Sequence, residues 1–163
     1  MSYSLNAPLP PAVERLAAAL RADFPEGVRP RERPTLVAKR IDRSEGADPG
    51  RLLARARGAL EVGDSGPVEA RTDALGTFEF STGPVVHLIV GGGLRRLHCR
   101  LCRAFDPVGG AAYVPHVTPG RGGDPDAVAA FCERSVDPVA WTVDRLVLRS
   151  GRYREPVAGL SLS

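Results

Sequence analysis

What most limits the fold of this chain is punctuation. It carries 18 glycines and 15 prolines in 163 residues, set between short apolar runs, a pattern that admits short strands, short helices and many turns. The apolar run "PVVHLIV" is rich in branched residues and stops at Gly91, Gly92 and Gly93, so it reads as a buried strand. No apolar run approaches the length of a membrane span. With 43% hydrophobic and 25% charged residues the composition is that of an ordinary globular protein. The length suits one domain with a sizeable core.

Around that strand the other elements follow from periodicity. "SYSLNAPLP" alternates Tyr3 and Leu5 with polar or small residues, and reads as a first strand ended by prolines. "PPAVERLAAALRADF" places Val13, Leu16, Ala17, Leu20 and Phe24 at helical spacing, with prolines at the first turn, where they are tolerated. "RPTLVAKRI" reads as extended, with Arg33, Thr35, Val37 and Lys39 on one side. "DPGRLLARARGAL" is expected to be a second helix capped by Asp48. After a turn at "GDSGP", "VEARTDALGTFEF" reads as a strand bent at Gly76, and "LRRLHCRLCRAF" as a helix with Leu94, Leu97, Leu101 and Phe105 inward. "YVPHVTPGR" is expected to be a strand, "PDAVAAFCER" a short helix, "AWTVDRLVLRSG" one alternating strand, and "YREPVAGLSLS" a last strand. The order runs twice through helix, strand, helix, strand. A single α+β domain of two lobes over residues 1–163 is therefore expected.

The net charge is +3 and Lys39 is the only lysine, so the basic excess is arginine. That balance suits an anionic partner such as a phosphate ester or RNA. Three cysteines, Cys99, Cys102 and Cys132, are an odd number in a chain too long to need staples, which points to a reducing compartment. "MSYSLNAPLPPAVERL" lacks the basic start and apolar core of a signal peptide. A soluble cytoplasmic protein, away from membranes, is expected.

In "PHVTPGR", alternation puts His116 and Thr118 on the same face of a strand. An imidazole can give or take a proton near neutrality, and a hydroxyl can donate to an anionic oxygen. By itself such a triplet also fits a strand-end histidine bonded to backbone. The run "YSLNAPLPPAVERLAAAL", then "VEARTDALGTFE", "VVHLIV", "YVPHVTPGR" and finally "LVLRSGRY" change that weighing. Over almost its whole length the chain resembles the two-histidine (2H) phosphoesterase superfamily, in the branch called 2′-5′ RNA ligase-like or RNA 2′,3′-cyclic phosphodiesterase. The resemblance implies two pseudo-symmetric antiparallel sheets lining a central groove, with helices outside. It implies two His-x-Thr/Ser motifs facing each other, one histidine acting as base and the other as acid on a 2′,3′-cyclic phosphate or 2′-5′ phosphodiester. No cofactor and no metal is implied, and the partners would be RNA ends or nucleotide phosphodiesters bound by a monomer.

His116 and Thr118 supply the second motif, with Arg121 placed to pair with phosphate. The first departs from the family: Thr35 holds the hydroxyl position, but Arg33 stands where the histidine belongs and Pro34 lies between. An arginine cannot act as a general base, though it stabilises negative charge. Lys39, on the same expected face, would add to that. Losing one proton-transfer partner typically costs about 10² to 10⁴ in rate. His87, on the "VVHLIV" strand, reads either as a core histidine or, if the strand lines the groove, as a replacement base. His98 lies between Arg96 and Arg100 and reads as a helix-surface residue.

Cys99 and Cys102 in "HCRLC" lack the further ligands that zinc requires, so Cys102 reads as core packing. "VGGGLRR" lacks the Lys-Ser/Thr or G-x-G-x-x-G of a nucleotide loop and reads as a turn. Arg95, Arg96, Arg100 and Arg103 read as a solvated helix face. Three functions remain open at this level: a phosphodiesterase impaired in its acid–base pair, a nucleotide- or RNA-end-binding relative without turnover, and a structural protein whose groove is unused.

Overall fold

A computed structural model describes residues 2–63, 66–108, 112–151 and 155–162. The turn expected at "GDSGP" lies partly outside them, as does the expected start of the last strand at Tyr153 and Arg154. Among the described residues the order is β1 (Tyr3–Ala7), α1 (Pro11–Arg21), β2 (Val28–Pro30), β3 (Leu36–Ile41), α2 (Pro49–Glu61), β4 (Val68–Phe80), β5 (Gly83–Gly92), α3 (Leu94–Leu101), β6 (His116–Gly122), α4 (Pro125–Phe131), β7 (Val139–Val143), β8 (Arg145–Ser150) and β9 (Pro156–Ser161). The helices begin where local chemistry directs. Asp48 accepts from the Gly50 amide and Asp124 from the Ala127 amide, and a proline opens each of α1, α2 and α4.

All nine strands join one sheet, in the order β7-β4-β5-β6-β3-β1-β8-β9, with β2 also on β6. The two expected lobes are thus halves of one curled antiparallel sheet. They meet where Leu36 of β3 stands opposite Val117 of β6, and β2 extends that edge by pairing Arg29 with Arg121. Fully buried residues lie on both sides of the seam on the helix-covered face: Leu88, Val117 and Leu36 in line across it, with Leu5 and Leu148 paired beyond. Each such side chain contributes about 1.5–3 kcal/mol on burial.

One expected strand proves shorter and another divided. The stretch expected to run as one strand from Arg33 is regular only from Leu36; residues 31–35 are irregular and link β2 to β3. "AWTVDRLVLRSG" breaks at Asp144: β7 pairs with β4 in one half and β8 with β1 in the other. The buried face accordingly changes phase, from Val143 to Leu146 and Leu148, which alternation over the whole segment does not foresee. In β4 the irregularity falls between Thr72 and Ala74 rather than at Gly76.

Candidate active site

The face opposite the helices carries the groove. Since Val117 and Leu36 point into the core, their neighbours His116, Thr118 and Val37 point the other way. On β5, Leu88 faces the core opposite Val117, so Ile89 and His87 share the groove face with His116. The register shifts between Val86 and Leu88 so that Thr118 and Pro119 together face His87. Proline has no amide to donate to a ladder, and a bulge is where a strand tolerates it.

The imidazole of His116 donates from Nδ1 to the Val114 carbonyl at 2.7 Å. That bond leaves Nε2 as the nitrogen able to accept a proton. Burial lowers the pKa of His116 below its ordinary 6.5, the Val114 bond opposes this, and the charges of Arg40, Arg121 and Arg31 lower it further. His116 is therefore largely neutral at physiological pH, as a base must be. Beside it, Phe78 stacks on His87 with ring centroids 3.9 Å apart, and His87 meets His116 edge to face at 5.5 Å. Gly76 makes room for this cluster, since a Cβ there would lie 2.8 Å from Nε2 of His87.

His87 thus combines the two readings open for it: it lies on the groove face, yet it is only 3% exposed. Burial, then the charge on His116, push its pKa down to about 4, which the Val85 carbonyl offsets only in part. At neutral pH it is not in the protonated, cationic form, and so weak a base is poorly suited to exchange a proton near neutrality.

The remaining expected residues separate. Arg33, Thr35 and Arg121 line a cavity of about 950 Å³ that runs along β2, the 31–35 segment, β3 and β8. His116 and the nearly buried Thr118 are not in its lining, although Arg31, Arg40 and Arg121 from that lining act on the charge of His116. Arg33 and Thr35 sit in irregular chain rather than on a strand face.

Lys39 is not in the groove at all. β1 pairs Leu5 with Lys39 but Asn6 with Val37, so Ala38 is an extra residue that reverses the alternation. Lys39 turns into the core, 1% exposed, and its Nζ donates to the Asp106 carbonyl at 2.8 Å. Arg40 takes the groove-facing position instead, with Arg149 beside it across Ser4. Alternation read from sequence misses Arg40, because nothing in "TLVAKR" marks the bulge. His98 holds the bulge in place through a 2.7 Å contact of Nδ1 with the Ala38 carbonyl and stacks on Tyr113. It is half-buried rather than a surface residue. Arg100, expected on the solvated face, is buried and donates to the Leu60 carbonyl. Cys102 rests its sulfur against Nε2 of His98 at 3.4 Å. Among the described residues no cluster of His, Cys, Asp and Glu is arranged to hold a metal, and no helix is long and apolar enough to cross a membrane.

The family model of the 2′-5′ RNA ligase superfamily matches residues 43–152, a span that includes His116 and Thr118 and begins after Thr35. No curated protein matches the sequence. Among solved structures, LigT of E. coli in apo form superimposes with a TM-score of 0.68 at 20% identity, over 100% of this chain and 99% of that one. TT0787 of Thermus thermophilus gives 0.66 at 20% identity, over 99% and 98%. Usb1 of Kluyveromyces marxianus gives 0.62 at 10% identity, over 99% and 97%. At these identities the likeness is one of fold.

Proposed function

The chain belongs to the 2′-5′ RNA ligase superfamily, and on that premise we propose that it is a phosphodiesterase acting on RNA-type 2′,3′-cyclic phosphate or 2′-5′ phosphodiester bonds, with His116 as its proton-transferring group. The observation that carries this reading is the state of His116. Its Nδ1 is committed to the Val114 carbonyl, Nε2 is left as an acceptor, and arginines flank it on the groove side. In hydrolysis of a cyclic phosphate, Nε2 takes a proton from the attacking water as the new P–O bond forms. Arg121 and Arg33 hold the non-bridging oxygens, with the hydroxyls of Thr118 and Thr35. The ribose oxygen that leaves has no second imidazole to protonate it and takes its proton from solvent, which costs about 10² to 10⁴ in rate. LigT, which shares the fold, has been crystallised with 3′-AMP and with ATP, and this supports a nucleotide ligand here.

The test is an assay of the parent protein and His116→Ala on 2′,3′-cyclic nucleotides and a 2′-5′-linked dinucleotide, with EDTA present. Turnover by the parent and none by the variant is expected. Equal turnover by both would remove His116 from the chemistry.

A second reading has its own observation behind it. Arg33 replaces the first histidine, and His87 is too weakly basic to be protonated at neutral pH. A groove so equipped binds phosphate better than it turns it over. Measurable affinity for 3′-AMP without hydrolysis of any of these substrates would favour a nucleotide- or RNA-end-binding protein.

A further inference from the structure

The carbonyl that fixes the tautomer of His116 belongs to Val114, in chain that has not yet entered β6. Its peptide is held from both sides. Pro115 restricts Val114 to extended backbone, and the Pro115 carbonyl accepts from the Val90 amide of β5 at 3.0 Å. On the other side stands Tyr113, half-buried. Its hydroxyl donates to the Val37 carbonyl of β3 at 2.8 Å, across 76 residues of sequence.

The Tyr113 ring is fixed as well. It lies flat on His98 of α3, with ring centroids 3.9 Å apart and planes 10° from parallel. A carbonyl can only accept, so His98 carries its proton on Nδ1 and gives it to Ala38 at 2.7 Å, while Nε2 meets the Cys102 sulfur at 3.4 Å. The two stacked rings thus engage successive carbonyls of β3, at the bulge that turns Arg40 into the groove. Burial pushes the Tyr113 phenol above its ordinary 10, against the charge of Arg95. The hydroxyl therefore keeps its proton and remains a donor.

The stacked pair rests on α3, among the helices that cover the face away from the groove, so neither ring is placed to touch a substrate. We infer that Tyr113, backed by His98, is a positioning residue: it ties the chain before β6 to β3, so that the Val114 carbonyl is aimed at Nδ1 of His116 and Nε2 is left free for the proton. An imidazole not held in this way can take the other tautomer, in which the nitrogen needed as a base already carries a hydrogen. The inference rests on the reading of His116 as the proton-transferring group, and adds what holds that group in its working form.

Long-range proton–nitrogen correlation spectra read imidazole tautomers directly. The chain has three histidines, and His116→Ala assigns the signal of interest. At neutral pH the parent should show His116 with its hydrogen on Nδ1. Tyr113→Phe removes only the hydroxyl, and His98→Ala removes the stack. In each, the Nε2–H form of His116 should appear. Each should also lower kcat on a 2′,3′-cyclic nucleotide by roughly tenfold, within the ~10²-fold that a misplacement of about 1 Å costs, with KM near the parent value. A lowered Tm with tautomer and kcat both unchanged would overturn the positioning role and leave Tyr113 a packing residue. A parent already in the Nε2–H form would overturn both the clamp and His116 as the base. A tautomer shift in the variants, beside a parent without turnover, would uphold the clamp and remove the phosphodiesterase reading instead.

Discussion

In the half of the sheet that ends at β6, the motif residues His116 and Thr118 lie on a strand paired on both sides, and the imidazole is fixed by a bond to its own chain. In the half that begins at β3, Arg33 and Thr35 lie in irregular chain before the strand starts, with Arg33 exposed. The first half presents a proton acceptor held in one tautomer. The second presents charge. A general base must meet a proton within hydrogen-bond reach, so its strand must be rigid, whereas a guanidinium attracts phosphate over a longer distance and tolerates a looser support. The presence of arginine rather than histidine at residue 33 and the irregular chain around it are consistent with each other.

The largest effect that tests this contrast is His116→Ala, expected to lower turnover by about 10² to 10⁴ while 3′-AMP still binds. The pH profile of the parent belongs to the same test. Because the pKa of His116 is depressed, the active neutral form is lost only as pH falls through a value below the ordinary 6.5. The rate should rise with pH through that value and stay level above it. A bell-shaped profile would mean a second titrating partner exists.

Arg33→His attempts to make the halves alike. Turnover should rise toward ~10²-fold, the lower end of what a general acid contributes, and the level profile should become a bell. A rate unchanged beside weakened binding would mean that the 31–35 segment cannot bring an imidazole to the phosphate.

Gly76→Ala probes how tightly the first half is packed. The new methyl must displace His87 from 2.8 Å, at a cost of about 1–3 kcal/mol, and thermal denaturation should show a lowered Tm. An unchanged Tm would mean that the ring cluster is loose.

The smallest effect is expected at Lys39→Met. One buried hydrogen bond to the Asp106 carbonyl is lost, worth about 1 kcal/mol, and the apolar stem is kept. KM for a 2′,3′-cyclic nucleotide should not move. A raised KM would return Lys39 to the groove.

Much of this was legible in the sequence where the cause is local. Asp48 and Pro49 start α2 by themselves, and the branched run of β5 packs as a buried strand. The α+β fold follows from such runs and breaks. That His116 and Thr118 share a face follows from a period of two over three residues, and the bulge of β6 at Thr118 and Pro119 falls after Val117 rather than between the two. Lys39 fails by the same logic, because three residues lie between it and Thr35 and one of them, Ala38, is a bulge. Asp144 fails because a chain that changes partner strands and a chain that continues straight have the same alternating pattern.

The sequence by itself determined the kinds of element, their order, the caps and the shared face of His116 and Thr118, since each depends on neighbours within a few residues. Only the tertiary structure decided that Arg40 rather than Lys39 enters the groove, that His87 lies beside His116 but is kept neutral by burial, and that β7 and β8 belong to different halves. Each of these is a matter of register, set by which residue of a distant strand supplies the hydrogen-bond partner. One extra residue in a ladder turns every later side chain to the other face.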